Sequence, residues 1–96
     1  MTKIVWTDPA IGDLDAIHEY ISRDAEIYAD AVITDIIEAV DRLELFPESG
    51  RIVPEFGDKT IREIITKNYR IVYNVSGEEI IILTVLHGSQ RFHKPE

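Results

Sequence analysis

The chain has 96 residues, 45% of them hydrophobic and none of them cysteine, and a net charge of −8. That length closes one modest core, so a single domain over residues 1–96 is expected, and without thiols neither disulfides nor thiolate metal sites can staple it, which suits a reducing cytoplasm. Residues 1–48 hold twelve Asp and Glu against three Lys and Arg, and residues 49–96 hold six against seven; phosphate backbones reward clustered cations, so this acidic chain is a poor candidate for direct nucleic-acid binding.

The opening residues MTKIVWTDPA place a proline and an aspartate where a signal peptide needs an unbroken apolar stretch, and no run approaches membrane-spanning length. A soluble cytoplasmic protein with no membrane partner is the expectation. Lys3 to Trp6 reads as a short strand, after which Thr7 or Asp8 caps a helix, because Pro9 suits the first helical turn. Ile11, Leu14, Ile17 and Ile21 recur at helical spacing, with Asp13, Asp15 and Glu19 outside, predicting a helix from Pro9 to Ser22. A second cap at Ser22 or Asp24 opens another helix, whose apolar series is Ala29, Val32, Ile33, Ile36, Ile37, Val40 and Leu43. Pro47 stops it and Gly50 allows the reversal. The short link between the helices predicts an antiparallel hairpin, and the acidic residues read as its solvated faces.

From Thr60 the pattern changes to β-branched and aromatic residues in the runs IREIIT, YRIVYNV and EIIILTVLH. Turn signals at Lys67-Asn68 and at Ser76-Gly77 with Glu78 make these a three-stranded antiparallel meander. In the middle run Tyr69, Ile71, Tyr73 and Val75 share one face, with Arg70, Val72 and Asn74 on the other. Ile80 to Leu86 is apolar on both faces apart from Thr84, which predicts a central or doubly covered strand. The helices cover one face, and a second copy of the chain is a candidate for the other. The segment from Pro47 to Lys59 reads as a long loop.

This order of strand, two helices and three strands carries WTDPA with Asp13 and Leu14, then PESGR, REI, NYRIVY and VLHG. It resembles the RelE/ParE toxin superfamily over nearly the whole chain, and within it the ParE-like branch of type II toxin-antitoxin toxins and plasmid stabilization proteins. The resemblance implies an α+β fold, a cognate antitoxin as partner, and inhibition of DNA gyrase by binding and not by turnover. Two alternatives are a RelE-like, metal-independent and ribosome-dependent mRNA endonuclease, and a decayed toxin that acts only as an antitoxin-binding module. Antitoxin tails of such pairs are commonly acidic. The −9 of the first half therefore directs their charged contacts to the sheet, or requires compensating lysines on the antitoxin.

Cleavage of RNA needs a cation to neutralise charge on the phosphate and groups that move protons. Arg70 matches the arginine of RelE-like enzymes, whereas their two lysines fall near Ile61 and Glu63 and their C-terminal tyrosine is absent. His87 is the remaining acid-base candidate, with a partly buried, hydrogen-bonded strand-end histidine as the plainer reading. Arg70 could equally be structural, paired to Glu38 or Asp35 on the second helix. Arg91 and Phe92 form a cationic-aromatic pair suited to anchoring on a protein surface, unless they belong to a frayed terminus. The candidate target-binding set is Arg51, Arg62, Arg70, His87, Arg91 and Phe92, and if the chain is a nuclease Arg70 and His87 carry the reaction. No metal or cofactor is expected: His18 lacks a second histidine at ligand spacing, and there is no glycine-rich phosphate loop.

Overall fold

A computed structural model describes residues 2–88. Strand β1 (Lys3–Trp6) runs into helix α1 (Asp8–Ser22) through Thr7. The Thr7 hydroxyl accepts the Ala10 amide at 3.3 Å and donates to the Ile82 carbonyl at 2.7 Å, so one side chain both caps the helix and ties it to the sheet. Helix α2 (Glu26–Asp41) begins at Ala25, which makes no side-chain capping bond, so neither Ser22 nor Asp24 supplies the expected cap. The Ser22 hydroxyl instead donates to the Glu19 carbonyl one turn back. A 3-10 turn, Arg42–Glu44, ends α2 before Pro47.

Ala10, Val32, Ile36, Val40 and Leu43 are buried against Ile71, Tyr73, Ile80, Ile82 and Val85, with Leu14, Ile17 and Ile21 packed at the margin. The helical stripes are narrower than their periodicity suggests. Ile11 and Ile37, expected inside, are 45% and 40% exposed, because the small Ala10 and Ala39 take the closest approaches.

The sheet has five strands in the order β1-β5-β4-β3-β2, where β2 is Arg51–Ile52, β3 Ile61–Thr66, β4 Tyr69–Ser76 and β5 Glu79–His87. Strands β3, β4 and β5 form the expected antiparallel meander. Its turns at Lys67 and Gly77 use positive φ of 55° and 60°. Two features enlarge it. The expected loop contains β2, antiparallel to β3, and β1 lies parallel to β5, which is thereby an interior strand.

Opposite β4, Val72 pairs with Thr84 but Tyr73 pairs with Ile82, leaving Leu83 as a bulge. Strict alternation would put Ile82 and Val85 on opposite faces, and the extra residue lets both reach the core. Past the end of β1, α1 takes over the edge of β5. Asp13 accepts the Thr84 hydroxyl at 2.6 Å and the Val85 amide at 3.0 Å.

Gly50 serves by its size, and not by the conformational freedom a reversal would demand. An added Cβ would lie 2.5 Å from the Glu63 carbonyl oxygen and 2.5 Å from the Tyr73 hydroxyl, which accepts the Gly50 amide at 3.0 Å. No helix among the described residues is long and apolar enough to cross a membrane.

Candidate docking site

On the face of β4 turned away from the helices, Arg70 is only 6% exposed. Its Nη1 and Nη2 donate to the two oxygens of Glu55, each at 2.9 Å, and its Nε donates to Glu63 at 2.6 Å. Glu63 is 1% exposed and accepts Arg51 Nε at 2.6 Å on its other oxygen. The register places Glu63 opposite both Arg51 and Val72, so β2, β3 and β4 align the group, and the loop after β2 brings Glu55 over it. Hydrogen bonds to Glu55, and then to Glu63, raise the pKa of the Arg70 guanidinium against the opposing effect of burial. Arg70 therefore pairs with neither Glu38 nor Asp35. Those helix residues lie across the sheet from it, and Asp35 takes Lys67 at 3.3 Å.

The other candidates are dispersed. Arg62 lies beside Tyr73 in the register, and its Nη1 donates to the Gly50 carbonyl at 2.9 Å, bracing the turn that precedes β2. His87 ends β5 on the side of α1, with its ring edge-on to Tyr69 at 5.7 Å between centroids. Arg70 and His87 thus face opposite sides of the sheet and do not converge on one phosphate. Arg91 and Phe92 lie outside the described residues. Among those residues, no group of three His, Cys, Asp or Glu is arranged to hold a metal ion.

Two open grooves flank this framework. One, of about 410 Å³, lies between α1 and the ends of β4 and β5, and is lined by Asp13, Ile17, Tyr20, Tyr69 and His87 among others. Burial, then the neighbouring Tyr28 and Tyr20, raise the Tyr69 phenol above its ordinary range, so the three tyrosines belong to one cluster. The second groove, of about 320 Å³, lies between the end of α2 and β3, with Arg42, Arg51, Ile64 and Ile65 in its walls. Past Arg51, where β2 begins, β3 has no described strand on its outer side from Ile64 to Thr66. Exposed Leu45, Phe46, Ile52 and Ile65 add apolar surface on these segments.

Residues 4–92 match the family model of the ParE toxin of the type II toxin-antitoxin system parDE. The chain belongs to the ParE toxin family. Its relatives include Toxin RelE2 of Caulobacter vibrioides, 31% identical over 91 residues, which are 94% of this chain and 99% of that protein. Putative toxin Y4kP of Sinorhizobium fredii is 37% identical over 92 residues, covering 94% of this chain and 92% of its own. Toxin ParE3 of Caulobacter vibrioides is 28% identical over 89 residues, 92% and 88% of the two chains. Among solved structures, the chromosomal ParDE system from P. aeruginosa superposes with a TM-score of 0.76 at 28% identity, covering 91% of this chain and 96% of that one. The RelBE2 complex from Mycobacterium tuberculosis shares the fold at 0.59 and 19%, covering 90% and 96%. Relatives named RelE2 and ParE3 thus stand at similar identities, 31% and 28%.

The importance of Glu55, Glu63 and Asp13 was not assigned from sequence. A usable signal was present: Glu63 interrupts a dense β-branched run, and a carboxylate there is either solvated or deliberately paired.

Proposed function

We propose that this ParE-family toxin acts by docking on its target, DNA gyrase, without turning over a substrate, and that a cognate antitoxin neutralises it. The observation that carries this reading is Arg70, held by Glu55 and Glu63 and buried. A phosphate clamp must exchange its resting partners for substrate. Displacing the carboxylates from the guanidinium would strip buried Glu63 of one of its two arginine partners. The lysine positions of the nucleases are Ile61 and Glu63 here, so neither supplies a cation to offset that loss. Docking needs only exposed complementary surface, and the apolar residues around β2 and the unpaired stretch of β3 provide it. An antitoxin segment can add a strand at Ile64–Thr66 and bury Ile65.

The test is a supercoiling assay with purified toxin. Inhibition at micromolar concentration, relieved by the antitoxin, is expected, together with intact message in toeprinting on translating ribosomes. Unaffected gyrase would overturn the target. Message cleavage that disappears in His87→Ala would establish the endonuclease instead, and antitoxin binding with no growth arrest on expression would establish a binding module.

A further inference from the structure

We infer that the tyrosine groove at the tip of the helical hairpin is a docking surface for a basic segment of the cognate antitoxin, one carrying an arginine or lysine between apolar residues. The inference rests on the antitoxin reading above and assigns it a place and a charge. Three observations meet at this tip. Tyr20, Ile27 and Tyr28 are 71%, 87% and 55% exposed, an apolar and aromatic surface of the kind soluble proteins reserve for a partner. Beside it lies the groove of about 410 Å³, lined by Asp13, Tyr20, Tyr69 and His87 among others and large enough to receive a long side chain.

The third observation is charge. Residues 13–35 contain seven carboxylates and one arginine. Arg23 is matched to Glu19, His18 to Asp30 and Lys67 to Asp35, while among the described residues no ion pair offsets Asp15, Asp24 or Glu26. A second copy of this chain would bring the same negative field and be repelled. An acidic segment would be repelled for the same reason. A cationic side chain gains from the carboxylates and from the tyrosine faces, which attract cations through their ring electrons. The antitoxin of this toxin therefore carries compensating positive charge where it crosses the tip.

The test is the affinity of full-length toxin for the antitoxin purified from the same operon, measured by calorimetry at low and high salt. Tyr20→Ala and Tyr28→Ala should each weaken binding about tenfold, as truncation of an aromatic anchor does. The double change Asp24→Lys with Glu26→Lys should weaken it at low salt and much less at high salt. All these positions are exposed, so an unchanged circular dichroism spectrum and a Tm no lower than that of the wild type separate a docking effect from a folding one. Wild-type affinity in every tip variant, with loss in Ile65→Ser, would overturn the inference while leaving the antitoxin reading intact. No binding by wild-type toxin would overturn both. A toxin that is dimeric alone and becomes monomeric on Ile27→Ser would assign the tip to a second copy and overturn the inference.

Discussion

Glu55, Arg70, Glu63 and Arg51 form, in that order, a chain of alternating charge whose middle members are almost fully buried. Removing one member of such a chain is costly because it leaves its neighbour charged and dry. Arg70→Ala and Glu63→Ala are each expected to lose about 3–5 kcal/mol, against a typical total of about 5–15 kcal/mol. Glu55→Gln should lose about 1 kcal/mol, because Glu55 is partly exposed and the amide keeps one acceptor. Urea denaturation ranks the three, and an Arg70→Ala protein as stable as wild type would refute the assignment. Two phenols, Tyr73 buried and Tyr69 partly so, make a separate claim about pH. Burial raises Tyr69 and Tyr73 above their ordinary value of 10.0, with Glu48 adding to Tyr73 and its Gly50 bond and Arg62 opposing. Below that value both phenols keep their protons in either state, and stability from this source is fully present. Above it the unfolded chain gives up protons that the folded protein retains, so stability falls as pH rises through the folded values. Tyr73→Phe should flatten that alkaline decline, read as Tm against pH.

At the scale of elements, α1 is fastened to β5 by polar contacts from Thr7 and Asp13 as well as by packing. Asp13→Ala is expected to cost about 2 kcal/mol, the loss of hydrogen bonds to a charged acceptor. It should also release the Val85 amide to rapid hydrogen exchange while the β4 amides stay protected; equal exchange in both proteins would show the clamp to be idle. The helices and the three long strands were legible because each repeats its apolar signal over several turns or alternations. Strand β2 was not, since two residues carry no period. The parallel partner of β1 was equally silent: Lys3 pairs with Glu79, far outside any local window. At the candidate site Arg70 was legible by likeness, but its partners were misplaced. Face parity alone put Arg70 opposite Ile71 and Tyr73, and so away from the helices that hold Glu38 and Asp35. Glu63 shares Arg70's face, and only the β3–β4 register reveals it.

For the molecule as a whole, the dominant asymmetry is electrical: −9 in the first half and +1 in the second. The helical hairpin stores like-charge repulsion that ions in solution weaken. Tm should therefore be higher at physiological ionic strength than at about 0.01 M, where the screening length is about 30 Å and spans the hairpin. A Tm that falls on adding salt would mean that surface ion pairs outweigh the repulsion. The pairing of β1 with β5 carries the last consequence. A nascent chain emerges with β1 unable to find its place until Glu79–His87 has followed, because that strand is the neighbour it needs. Helix α1 waits with it, since Thr7 and Asp13 find their partners at Ile82, Thr84 and Val85. A chain cut short before residue 79 thus lacks the strand that anchors both β1 and α1.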